Sequence, residues 1–159
     1  MRSIAFSSED LPDGFDDRAR IAAWQDLLAE LYAPHEVSGL PHRSFEQRLR
    51  GGRFGDGSTP VDVLRFSGTM GRMLWTIRGQ NTPRATNFVL CFNWRPAPMS
   101  LIQRGREALL DSETAAMVSC TEPGEVCAAD PHDFSALAID QARLRELWLA
   151  ALLPFRFGS

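Results

Sequence analysis

Residues 61–79 read VDVLRFSGTMGRMLWTIRG. Two short runs rich in Val, Leu, Phe, Met and Trp stand on either side of Ser-Gly-Thr-Met-Gly, a segment with turn chemistry. An amphipathic helix needs apolar residues returning every three or four positions across a longer window, without a glycine break. The stretch therefore predicts two strands joined by a turn. The same pattern extends on both sides. In SFEQRLRG (44–51) the residues alternate, with Phe45, Gln47 and Leu49 on one face and Glu46, Arg48 and Arg50 on the other. TNFVLCFNW (86–94), SLIQRG (100–105), AAMVSCT (115–121) and DFSALAI (133–139) continue the series. GDGSTP, QNTPR, RPAP, RGRE and EPGE punctuate it. Strands this short and this regularly broken, over 44–139, predict an antiparallel sandwich or barrel.

Helices are expected at both ends. Asp16 and Asp17 open one whose apolar face is Ile21, Trp24, Leu27, Leu28, Leu31 and Tyr32, and Pro34 ends it. At the other end Leu144, Leu147, Trp148, Ala151 and Leu152 recur at helical spacing, behind Asp140 as N-cap and before Pro154. The chain thus divides into an arm and helix (1–35), a β region (44–139) and a closing helix (140–153) within one domain spanning 1–159. An apolar stripe on the closing helix must cover something: the domain's own core, a second copy, or a following domain.

The 159 residues, 44% hydrophobic and 23% charged, suit one globular domain with a real core. No apolar run is long enough to span a bilayer, and MRSIAFSSEDLPDG lacks the apolar centre of a signal peptide. Cys91, Cys120 and Cys127 are an odd number without paired spacing, which fits a reducing compartment. A cytoplasmic protein without a membrane partner is expected. All 17 basic residues are arginine, yet the net charge is −3, so the chain alone is no electrostatic partner for DNA.

The motifs for chemistry are mostly missing. His35, His42 and His132 are far apart, Cys120 and Cys127 have poor zinc spacing, and Cys91 reads as a small core residue. No nucleophile elbow, phosphate loop or dinucleotide fingerprint occurs. GGRFGDG (51–57) reads as a hairpin or mobile loop. No catalytic residue, metal or cofactor is expected. Arginines and aromatics do interleave, and this admits two readings. In the first, alternate residues simply face solvent. Alternatively Phe45, Arg48, Arg50, Trp75, Arg78 and Trp94 form the mouth of a barrel, with aromatic walls around a small ligand and an arginine on its anionic group.

AFSSEDLP followed by RARIAAWQDLL, with Phe6, Ser7, Leu11, Pro12 and Trp24, resembles the start of the sensor domain of AraC/XylS-type transcription regulators, in the XylS-like branch. RFSGTMGRMLWTIRGQNTPR is similar to that family's paired strands with a trailing arginine segment. QRGREALL resembles its glutamine-x-glycine-arginine turn, through Gln103, Gly105, Arg106 and Leu109. LAIDQARLREL stands where the family passes from its last strand to a linker-side helix. Ser112-Glu113 and Asp140-Gln141 depart from the family pattern. The resemblance implies a mainly β, cupin-like jelly-roll or barrel with an N-terminal helix and a C-terminal helical segment. It implies a small-molecule effector in the barrel and a homodimer through Leu144, Leu147, Trp148 and Leu152. It also implies that DNA is read only by a helix-turn-helix part that is not in this sequence, which is then either a separated sensor domain or a stand-alone relative. A small cupin-like enzyme and a ligand-free dimerising scaffold are the competing expectations.

Overall fold

A computed structural model describes residues 1–38, 44–55, 60–69, 71–76, 87–128 and 131–152. Eleven strands and two helices are present among them: β1 (Arg2–Ser7), α1 (Asp17–Leu31), β2 (His35–Ser38), β3 (Gln47–Phe54), β4 (Val61–Gly68), β5 (Arg72–Trp75), β6 (Asn87–Asn93), β7 (Met99–Gln103), β8 (Arg106–Leu110), β9 (Ala115–Ser119), β10 (Gly124–Cys127), β11 (His132–Asp140) and α2 (Gln141–Leu152). They form two antiparallel sheets, in the orders β1-β3-β4-β11-β6-β9 and β2-β5-β10-β7-β8. The expected mainly β, cupin-like architecture with a helix at each end is what the chain adopts.

Period-two alternation sets which side chains enter the core. Phe45, Gln47 and Leu49 are buried, while Glu46, Arg48 and Arg50 are exposed, as the alternation of 44–51 requires. Register carries this inward set across the larger sheet: Leu49 lies opposite Phe66, and Phe66 opposite Phe134. The rings of Phe66 and Phe134 stack at 4.9 Å. α1 covers part of this face. Asp16 caps it, its carboxylate accepting from the Ala19 N–H at 2.8 Å, and the helix buries Trp24, Leu28 and Leu31. Trp24 packs on Phe6 at 5.2 Å and edge-on to Phe66 at 5.9 Å.

The barrel draws strands from outside 44–139. β1 pairs with β3 along its whole length, and β2 pairs with β5. Two segments expected as turns also hold strands. RGRE turns only at Arg104 and Gly105, both at positive φ, then enters β8, and EPGE runs into β10. Of GGRFGDG, Gly51–Phe54 are strand, and 56–57 lie outside the described residues.

The outer face of the larger sheet has two characters. Near β3 it is ionic, where Arg65 grips both oxygens of Asp133 and Arg48 both oxygens of Glu9. Arg72–Glu125 and Arg104–Glu122 make similar forks on and beside the second sheet. Further along the larger sheet, Val63, Leu137, Leu90 and Met117 fall in one register row across four strands. Val63 and Met117 are 41% and 49% exposed.

One fork is inside. Arg53 lies opposite Asp62 on the inward face and donates to both carboxylate oxygens, at 2.7 and 2.9 Å. The two side chains are 15% and 3% exposed. Removing the cation takes a two-point partner from a carboxylate that is almost wholly shielded from water. Arg53→Met is expected to lower the unfolding free energy by about 3 kcal/mol in urea titrations, and Arg53→Met/Asp62→Leu to recover most of it.

Candidate functional site: a cavity between the sheets

The inward residues of both sheets do not meet completely. They leave a cavity of about 60 Å³. The larger sheet contributes Phe66, Val89, Cys91, Val118, Phe134 and Ala136, with Cys120 just beyond β9. The smaller sheet contributes His35, Met73, Trp75, Leu101 and Val126. Leu28 and Tyr32, from the end of α1, close one side.

Trp75 is the largest wall. Its indole N–H donates to the Glu122 carbonyl at 2.7 Å, and a Cβ built on Gly124, its partner across β10, would stand 2.1 Å from the ring. Only glycine at 124 leaves room for the indole, which is why EPGE reads as a turn yet carries a strand. His35 lies opposite Trp75 on β2, with ring centroids 6.4 Å apart. Its Nδ1 donates to the Ala33 carbonyl, which fixes the tautomer with Nε2 as acceptor. Burial lowers its pKa to about 4, against the smaller opposing effect of that hydrogen bond. The imidazole is therefore neutral at neutral pH. Burial also pushes the thiols of Cys91 and Cys120 up to about 12, so both wall the cavity in the protonated form.

The site expected from sequence is only partly assembled. Trp75 is in the cavity wall. Phe45 is fully buried in the same core but does not line the cavity. Arg48 and Arg50 point the other way, into a shallow trough on the outer sheet face beside Arg65, Ser67 and Asp133. The reason is the alternation itself: a strand that buries Gln47 and Leu49 must expose the residues between them. Trp94, just past β6, is 55% exposed and bonds the Ser135 hydroxyl on the outer face. Arg78 lies outside the described residues. On the closing helix, Leu144 is half-buried, Leu147 is 45% exposed and Trp148 67%. Leu152 ends the helix, and its side chain lies outside the described residues.

The lining sets what the cavity can hold. No arginine lines the cavity among the described residues, so its polarity comes from one neutral imidazole, one phenol and two thiols. Such a lining favours a small, largely apolar molecule with at most a hydrogen-bond donor for His35 Nε2. At about 60 Å³ the space is under half of the ~150 Å³ that admits benzene in a dry protein cavity. An aromatic ring enters only if a wall yields, and unbranched Met73 is the wall best able to. Among the described residues no three His, Cys, Asp or Glu side chains gather as a metal-binding group. No helix among them is long and apolar enough to cross a membrane.

No protein-family model and no curated protein matches this chain. Among solved structures it is similar to the AraC-like transcriptional activator CuxR, at 12% identity and a TM-score of 0.60, over 85% of this chain and 46% of that one. The chain thus spans about half the length of that activator. It is also similar to an RmlC-like cupin protein from Desulfovibrio desulfuricans, at 9% identity and a TM-score of 0.40, over 66% of this chain and 90% of that one. A cupin 2 conserved barrel domain protein from Salinispora arenicola stands at 9% identity and a TM-score of 0.37, over 64% and 84%. The fold is cupin-like, and one AraC-like activator shares it over most of this chain.

His35 supplies a pH test of the cavity. Its folded-state pKa of about 4 lies below the usual 6.5, so between those values the unfolded chain binds the extra proton. His35 thus makes stability rise with pH across that window and fall on acidification. Wild type is expected to lose about 2 kcal/mol from this residue between pH 6.5 and 4.5, and His35→Gln to show a correspondingly flatter profile in denaturant titrations at stepped pH.

Proposed function

We propose that this chain is the effector-binding and dimerising module of a transcription regulator of the AraC/XylS type, in the XylS-like branch. Its effector is a small, largely apolar or aromatic molecule held between the two sheets, and it acts by binding without turnover. One observation carries the reading: the strand that walls the cavity runs without a loop into an exposed apolar helix. β11 gives Phe134 and Ala136 to the cavity, and Asp140, its last residue, caps α2 by accepting from Ala142 N–H at 2.8 Å. Any ligand that shifts β11 therefore shifts α2. Among the described residues the helix makes few contacts with its own domain other than with β11, and it presents Leu147 and Trp148 outward.

In this reading the apolar stripe meets a second copy, and the effector selects one of two arrangements of barrel and helix. Regulation follows as a population shift, its size set by the effector's difference in affinity for the two. The likeness to CuxR and the run of short motifs support the regulator class. The high thiol pKa values and the neutral, backbone-bound His35 support binding over catalysis. DNA is left to a part outside these residues.

Melting the protein with toluene, phenol and indole tests the cavity. At least one should raise the melting temperature of wild type, and Ala136→Leu, which fills the space from β11, should abolish that rise while remaining folded. A stoichiometric metal on elemental analysis, with turnover of the bound molecule, would instead identify an enzyme. Sedimentation tests the helix. Trp148→Glu should convert dimers to monomers without lowering the melting temperature, since an aromatic at an interface centre contributes about 2 kcal/mol or more. A monomeric wild type at high concentration rejects the dimer.

A further inference from the structure

An antiparallel sheet that meets water on one face carries polar side chains at its outward positions. The larger sheet breaks this along one whole row and part of the two rows beside it. Val63, Leu137, Leu90 and Met117 make the middle row, which runs unbroken from β4 to β9. Their chain neighbours Leu64, Ala136, Cys91 and Val118 sit in the core, which fixes the row as outward. Phe88 stands in the row on one side and Phe92 in the row on the other. With strands about 4.8 Å apart and rows about 6.8 Å apart, the patch is roughly 20 Å on a side. Val63 and Met117, at its two ends, are 41% and 49% exposed.

The row of Phe92 carries charge at both ends. At β3, Arg50 lies directly opposite Arg65, a meeting of like charges that destabilises a sheet. Arg65 is neutralised by Asp133 at 2.7 Å, whereas Arg50 makes no ion pair among the described residues. At the far end the row reaches Ala115 on β9, and the exposed Glu113 lies two residues before it. Glu113 also makes no ion pair among the described residues. From β3 to β9 is about 19 Å, too far for this cation and this carboxylate to meet within one chain.

We infer that a second copy of the chain docks on this face, larger sheet against larger sheet, about a twofold axis running along the strands between β11 and β6. That axis lays Val63 of one copy over Met117 of the other, and Leu137 over Leu90. It reverses the charged row as well, so Arg50 arrives one strand spacing beyond Ala115 of the second copy, on the side of the turn that holds Glu113. An isologous contact makes each of these meetings twice. The apolar row and the two unpaired charges are then complementary to themselves, which is why a second copy fits them better than an unrelated partner. The same axis brings both α2 helices out at one end, because each follows the last residue of β11. Among the described side chains α2 offers only Leu144, Leu147 and Trp148 as large apolar contacts, while a stable dimer buries about 800 Å² and roughly 20–30 residues on each side. The helix alone falls well short, and the sheet face continues its contact. The inference extends the dimer proposed for α2 and needs no effector.

Sedimentation equilibrium of the whole chain tests the face. Met117→Glu should raise the dimer Kd roughly a hundredfold, since it brings an unpaired charge into an apolar contact. Arg50→Glu and Glu113→Arg should each raise it about tenfold by setting like charges against each other across the axis. Mixed in equal amounts, those two variants should associate as tightly as wild type, because each then meets the opposite charge. Arg50 and Glu113 are both exposed, so this arm holds whether or not Met117→Glu folds. A mixture no tighter than its components overturns the inference, and so does a wild type that stays monomeric at high concentration. Trp148→Glu keeps the two contacts apart. A dimer lost in Trp148→Glu and intact in Met117→Glu belongs to the helix alone and overturns the face. A dimer lost in Met117→Glu and intact in Trp148→Glu upholds the face and removes the helix from the contact.

Discussion

The pairing of β11 with β4 on one edge and β6 on the other is the constraint on which the rest of this domain depends. These partners are far away in sequence, so the chain must close long loops before the nine-residue strand gains its hydrogen bonds. Once seated, β11 does three separate things with its alternate faces and its end. Phe134 and Ala136 point in and wall the cavity. Leu137 points out and joins the apolar row with Val63, Leu90 and Met117. Asp140 caps α2. A register slip of one residue would exchange the first two sets and bury Asp133 and Ser135.

Much of this was legible in local pattern. The alternation of 44–51 is realised residue by residue, and α1 starts at the cap that Asp16 offers. The closing helix begins where Asp140 places it. The strands that escaped notice did so for different reasons. β1 is an edge strand with no fully buried residue, and only Ile4 and Phe6 in it pack against the core. β10 carries a glycine whose purpose is to make room for Trp75 on another strand. A residue chosen for a neighbour distant in sequence looks, locally, like a turn.

The candidate site was less legible for the same reason. Interleaved arginines and aromatics suggest a lined mouth, but period two sends Arg48 and Arg50 outward from the strand that buries Gln47 and Leu49. His35, Cys91 and Cys120 looked unrelated because β2, β6 and the end of β9 meet only through sheet order and packing. Gly68, where a Cβ would stand 2.0 Å from the Glu46 carbonyl and 2.8 Å from the Gln47 amide, likewise reads in sequence as mere turn punctuation.

The forks on the surface have a consequence for the domain as a polyelectrolyte. In Arg48–Glu9, Arg65–Asp133, Arg72–Glu125 and Arg104–Glu122 the cation is always a guanidinium, and the chain has no lysine to substitute for it. A guanidinium keeps its proton at every pH a protein tolerates. These clasps can therefore be opened from one side only. Alkali finds nothing in them to titrate. Acid must first protonate Glu122, Glu125 or Asp133, each held below the usual carboxylate range chiefly by the hydrogen bonds from its arginine. Stability from these pairs is present above the ordinary carboxylate pKa and is lost only as the pH falls through the lowered values. The surface thus behaves as a one-way valve for protons, indifferent to base and yielding late to acid.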